Sequence, residues 1–180
     1  PNLRAGLLAA VASNRKFEED GLRLFEIGRV YISRTNDLPD ERETLCGVLS
    51  ASRQEQSWHG VNKQFDFFDA KGVVEGLLGH FGIAATFAAS SDTSLHNTKQ
   101  AAVLISGRRV GVVGQCHPIV TENFEISGDT FVFEIDLAVL MPVALAPRTF
   151  TPIPRFPAVV RDMAIVVGTE ITHQQMLAVN

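Results

Sequence analysis

Glu134 and Asp136 are the pair in this sequence best spaced for chemistry. They sit two apart in a run where Phe131, Phe133, Ile135 and Leu137 alternate with Val132, Glu134 and Asp136, the pattern of a strand with one face on a core. Both carboxylates would then project from one face, with α-carbons about 7 Å apart, a separation at which they could work as acid and base or hold a divalent ion. A solvated or ion-paired sheet face has the same spacing. Cys116 stands next to His117, but neighbours in a strand point to opposite faces, which argues against a cysteine–histidine couple. His117-Pro118 reads instead as a strand end. Gly111-Val-Val-Gly114 has half the glycines of a phosphate loop, yet no lysine follows and no glycine-opened helix is evident, so tight strand packing is expected. Arg108 and Arg109 fall at a turn and read as solvated charges. The five histidines, His59, His80, His96, His117 and His173, are scattered without the close spacing of a zinc site.

The elements that must position these residues are mixed. Leu3, Leu7, Leu8 and Val11 recur at helical spacing, with Asn2 as a capping candidate. Leu22 to Ile32 is apolar on both faces, which predicts a strand covered on both sides, with Gly28 marking a bulge or a close approach. Asn36 to Glu43 carries turn chemistry and Leu45 to Ala51 reads as a second, neighbouring strand. Ser52 to Gln64, with the lone Trp58, reads as a loop. Phe67, Ala70, Val74, Leu77, Leu78 and Phe81 define the best helix, capped by Asp66 and stopped by Gly82. Short strands are expected at Ile83 to Ala88, Ala101 to Ser106 and Val110 to Cys116, the last two forming a hairpin around Ser106-Gly107. Pro142, Pro147, Pro152, Pro154 and Pro157 forbid a regular helix and predict an extended connector, followed by a strand at Asp162 to Val167 and a helix from Thr172. Strands outnumber helices and come in hairpin-like pairs, so the expected class is α+β, an antiparallel sheet carrying helices.

The chain has 180 residues, 46% of them hydrophobic and 20% charged, enough to bury roughly 70% of the surface its unfolded form exposes. Its formal charge of -4 is the wrong sign for non-specific phosphate binding. Cys46 and Cys116 lie in valine-rich runs and read as buried free thiols of a reducing compartment. No stretch has the length of a membrane span or the pattern of a leader. Pro1 and the helix running out at Asn180 suggest a piece of something longer.

Five blocks, in order, resemble the phenylalanyl-tRNA synthetase beta-chain family of bacterial type. They are Leu3-Arg-Ala-Gly-Leu-Leu8, Leu24-Phe-Glu-Ile-Gly-Arg-Val-Tyr31, Trp58 with Asp66-Phe-Phe-Asp-Ala-Lys-Gly72, Gly107 to Pro118, and Pro154-Arg-Phe-Pro-Ala-Val-Val-Arg-Asp162. The resemblance implies a class II synthetase-like core domain over 1–147, and over 148–180 a connector with the first elements of a truncated ferredoxin-like, anticodon-binding domain. It implies a cytoplasmic holoenzyme of two alpha and two beta chains that uses ATP and magnesium to join phenylalanine to its tRNA. This core would pack on the catalytic alpha subunit, leave tRNA contact mainly to other domains, and bind no cofactor or metal itself.

An active class II site needs an arginine two positions before a glutamate in one strand and a glycine-rich run ending in arginine in another, to hold the nucleotide phosphates. Here Phe25-Glu26-Ile27 stands at the first place, and no such run occurs between Phe131 and Arg155. No catalytic, cofactor or metal residue is therefore expected. An exposed apolar face too large for a monomer is expected instead, open to alpha or to a second copy. Two rivals remain at this point: a small enzyme using Glu134, Asp136 or Cys116, and an RNA-binding module using Arg108, Arg109, Arg148, Arg155 and Arg161.

Overall fold

A computed structural model describes residues 2–17, 21–35, 37–51, 64–144 and 159–177. The chain divides into two compact units, Pro1–Ala146 and Pro147–Asn180. The first contains α1 (Arg4–Asn14), β1 (Leu22–Arg34), β2 (Asp37–Ser50), α2 (Phe67–His80), β3 (Ala85–Ala89), β4 (Leu95–Ile105), β5 (Arg108–Cys116), α3 (Pro118–Asn123), β6 (Thr130–Asp136) and α4 (Leu137–Ala144). All six strands join one antiparallel sheet in the order β1-β2-β6-β5-β4-β3.

Residues directly opposite each other in antiparallel strands share a face. Phe25, Gly47, Phe133 and Val113 are successive partners across four strands, and so are Leu24, Val48, Val132 and Gly114. The first row belongs to the face where Ala70, Val74 and Leu78 of α2 and Leu140 of α4 are buried with Leu45, Leu49, Phe131, Phe133 and Ile135. On the other, Leu7, Leu8 and Val11 of α1 are buried with Cys46, Val48, Leu95, Val112 and Val132. The sheet therefore has a core on each side, and β6, running through its middle, is buried on both. Its alternation had predicted a single covered face; Val132 finds cover because α1 lies over it.

Several local expectations hold for the physical reasons that motivated them. Asp66 accepts a hydrogen bond from the Asp69 amide at 3.0 Å and the Asp69 side chain accepts from the Asp66 amide at 2.9 Å, a reciprocal cap. Gly82, at φ +72°, ends α2 and lets the Ile83 amide donate to the Leu78 carbonyl at 3.0 Å. Ser106 and Gly107, both at positive φ, make the two-residue turn joining β4 to β5. A side chain at Gly111 would strike the Glu134 backbone, and one at Gly114 would crowd Gln100 and Lys99, so both glycines serve close strand packing.

Other expectations are corrected. β1 is an edge strand with most of its residues exposed, not a strand covered on both sides. At Gly28 the close approach comes from Leu3, and the irregularity in β1 lies further on, between Ile32 and Arg34. The Asp37-Leu-Pro-Asp40 stretch is strand rather than turn: β2 begins at Asp37, and Pro39 is tolerated because β6 reaches β2 only from Thr44 onward. Leu3, not Asn2, is the residue before α1, and it makes no side-chain cap. Pro118 opens the unforeseen short helix α3, capped by His117, and Pro142 lies inside α4. The loop around Trp58 and the prolines from Pro147 to Pro157 lie outside the described residues.

In the second unit the expected strand Asp162 to Val167 does not form a ladder: these residues are exposed and have no strand neighbour among the described ones, and a lone strand has nothing to bond to. A short helix α5 (His173–Leu177) follows. Thr172 starts it, its hydroxyl accepting from the Gln175 amide at 3.3 Å while the Gln175 side chain accepts from the Thr172 amide at 2.8 Å. No helix among the described residues is long and apolar enough to cross a membrane.

Gly47 yields a first test. A methyl group there would land on the ring of Phe133, so Gly47→Ala is expected to destabilise the fold by about 1–3 kcal/mol through overpacking. In a Phe133→Leu background the loss should shrink. Urea unfolding of the four proteins of this cycle measures both effects.

Candidate functional site

Glu134 and Asp136 do share a face, and both line an open pocket of about 220 Å³ with Arg4, Thr44 and Arg109. Neither is poised as a free acid or base. The Glu134 carboxylate accepts a bond from Arg4 Nε at 2.7 Å. Asp136 accepts from the Ala138 amide at 2.9 Å, where it begins α4. The two carboxylates thus serve different elements.

Arg4 is the organising group, and it was not singled out from the sequence as a site. Its Nη1 donates to Asp92 and to Ser94, each at 2.7 Å, while Nε reaches Glu134. The side chain is 11% exposed. Burial opposes its charge, but Glu134 and Asp92 outweigh that and hold the guanidinium above its ordinary pKa. Burial likewise opposes ionisation of Asp92, yet bonds from Ser94 and Arg4 hold that carboxyl below the ordinary value. The three charges tie α1, the segment before β4, and β6 together on one sheet face.

The thiols are sealed in. Cys46 and Cys116 are both free and buried, and burial pushes each up to about 12. His117 turns away from Cys116, its Nδ1 accepting from the Ile119 amide at 3.3 Å, so no nucleophile–base contact exists. Among the described residues no group of three or more His, Cys, Asp or Glu side chains could hold a metal ion. Arg108 and Arg109 are exposed beside the β4–β5 turn, Arg161 lies in the second unit, and Arg148 and Arg155 fall outside the described residues.

The pKa of these thiols carries a prediction. Because the folded values lie above the ordinary 9 of an unfolded thiol, their contribution to stability is complete below pH 9 and is lost between about 9 and 12, as the unfolded chain ionises first. Cys46 and Cys116 should resist a thiol reagent at pH 8 until denaturant is added. Rapid labelling of either in the folded chain would show an open core.

Leu24 of β1 packs against the apolar cluster under α1. β1 and α2 also expose large apolar side chains. Phe25 is 71% and Ile27 57% exposed on β1, and Phe68 and Val73 are exposed on α2. Between them Val73 and Leu77 of α2, with Leu45 and Leu49 of β2, line a groove of about 340 Å³.

A six-stranded antiparallel sheet in this order, with helices on both faces, defines the class II aminoacyl-tRNA synthetase fold. A pyrrolysyl-tRNA synthetase from Desulfitobacterium hafniense superposes with a TM-score of 0.58 over 79% of this chain and 48% of that one, at 15% identity, a likeness of fold. Within that class the chain belongs to the family described as the phenylalanyl tRNA synthetase beta chain CLM domain, which its residues 1–137 match. Similar curated proteins include the phenylalanine–tRNA ligase beta subunits of Dehalococcoides mccartyi (strain CBDB1), 41% identical over 98% of this chain, and of Bacillus subtilis, 35% identical over 99%. The chain spans 22% of the length of each.

Proposed function

We propose that this chain is a non-catalytic scaffold within the beta subunit of a phenylalanine–tRNA ligase. The observation that carries the reading is the sheet face under α1: the β1 residues that share it, Leu22, Leu24, Glu26, Gly28, Val30 and Ile32, include no arginine or lysine, so this strand offers a nucleotide's phosphates no cation there. Phosphate charge needs charged or well-directed donors to leave water. Arg4, the buried cation of that face, is already engaged by two carboxylates. The enzyme as a whole would use ATP and magnesium in the cytoplasm to join phenylalanine to tRNA, as a tetramer of two alpha and two beta chains. ATP, magnesium and most tRNA contacts would belong to other parts of the assembly, and the second unit would begin the anticodon-binding, ferredoxin-like domain. The segment Val159 to Val167, exposed and without a ladder, suits a strand that pairs with chain beyond this piece.

Co-expression of the full-length beta subunit with its matching alpha subunit tests this. The two are expected to co-elute, and the chain described here is expected to bind no ATP–magnesium alone. Saturable ATP binding that disappears on mutating the exposed Arg109 would make the sheet a nucleotide site and overturn the scaffold.

A further inference from the structure

The pocket lined by Arg4, Thr44, Arg109, Glu134 and Asp136 holds polar groups that the fold leaves unused. Thr44 is only 4% exposed, yet its hydroxyl makes no hydrogen bond among the described residues, and buried hydroxyls are seldom left so. Its one opening is toward this pocket. Glu134 spends one oxygen on Arg4, and Asp136 one on the Ala138 amide. The second oxygen of Asp136 has only a loose pair with Arg42 at 3.9 Å, and Arg42 is shared with Asp40 at 2.9 Å. Arg109 stands in the same pocket with no ion pair or ring contact among the described residues. A bulge aims it there. Where β4 passes from Val103 to Leu104, its partners in β5 step from Gly111 to Arg109, which leaves Val110 as the extra residue. Val110 turns into the core under α2, and Arg109 and Val112, three apart, line one pocket. An unbroken strand would have put those two on opposite faces.

We propose that this pocket binds a small amino acid as its zwitterion, the ammonium group donating to the spare oxygens of Glu134 and Asp136 and to the Thr44 hydroxyl, the carboxylate accepting from Arg109. Both signs of charge are needed to fit it. A bare anion, phosphate included, meets Glu134 and Asp136, and a bare organic cation leaves Arg109 facing a like charge. A metal ion finds no group of three His, Cys, Asp or Glu side chains among the described residues. A zwitterion sets each of its charges beside the opposite one, with charge-assisted bonds at both ends. The pocket, about 220 Å³, is below the roughly 300–1,000 Å³ of sites that enclose drug-sized ligands, so the amino acid must have a short side chain. Arg4 stays with Asp92 and Glu134 and serves as wall. The site binds and does not react, so it adds to the scaffold reading without depending on it.

Equilibrium dialysis of labelled glycine, L-alanine and L-serine against the full-length beta subunit tests this, with ethylamine and propionate as probes that carry one charge each. At least one of the three amino acids is expected to bind saturably, and both single-charge probes at least tenfold more weakly. Thr44→Val keeps the shape and removes the hydroxyl, and Arg109→Met changes an exposed position. Each should weaken the amino acid at least tenfold while the melting temperature stays nearly unchanged. No saturable binding of any of the three would overturn the inference. Binding that both variants leave unchanged would overturn it too, since the amino acid would then sit elsewhere in the subunit. Ethylamine held as tightly as the amino acid would make the pocket a plain cation site, with the same result. Association with the alpha subunit is read separately, so each of these failures leaves the scaffold reading standing.

Discussion

Arg4→Met is expected to cost about 3–5 kcal/mol of folding stability, the range for breaking a buried ion pair from one side. The methionine fills much of the same space, so the loss is one of charge and not of packing. Asp92 and Glu134 would remain partly buried beside each other's elements with no cation between them. Arg4→Lys should recover only part of the loss, because an ammonium is a single point of charge whereas the guanidinium reaches Glu134 through Nε and Asp92 and Ser94 through Nη1. The pH profile gives a second readout. Asp92 has a folded pKa below its ordinary value, so its contribution is present above that ordinary value and lost as pH falls through the folded one. Urea midpoints measured from neutral pH down through the acid range should therefore converge for Arg4→Met and the parent at the acid end. A variant as stable as the parent at neutral pH would mean that the three side chains do not form this cluster.

Phe131→Ala should cost about 3–5 kcal/mol, and Phe25→Ala within about 0.5 kcal/mol of nothing. Both are phenylalanines in strands of one sheet, and hydropathy does not separate them. Phe131 is 1% exposed in the middle of the core shared with α2, so truncation opens a cavity that the surrounding strands cannot collapse. Phe25 already faces solvent, and its ring has little native contact to lose. Thermal or urea unfolding of the two variants separates a side chain that holds the fold from one that is free to meet another molecule. Equal losses would place Phe25 in the interior and remove the groove as a docking surface.

The sequence was most legible where the chemistry is local. Asp66 with Asp69, Gly82, and Ser106-Gly107 act within a few residues of themselves, and each predicts its turn or cap from its own stereochemistry. Legibility failed where distant chain decides. Arg4 meets partners 88 and 130 residues away, and nothing near it in sequence marks it as the knot of a sheet face. β1 misled for a different reason: apolar residues on both faces of a strand mean that both faces are meant to be covered, but not by which molecule. Pro142 does not break its helix, since α4 has only eight residues and one missing donor leaves most of its bonds intact. His117-Pro118 carries a usable signal for α3 besides marking a strand end: a cap followed by proline at the first position also opens a helix.

The order of strands has a consequence for biogenesis. The strand that closes the sheet is the last of the six to leave the ribosome, and it belongs between the β1–β2 hairpin and the three-stranded meander β3-β4-β5 made before it. Until it arrives, the nascent chain holds two half-sheets whose inner margins, β2 and β5, are unsatisfied and face a gap one strand wide. Closure then depends on joining segments far apart along the chain, the slow kind of step, so this domain passes through a vulnerable open form in which a chaperone, or the wrong strand, competes for the vacancy.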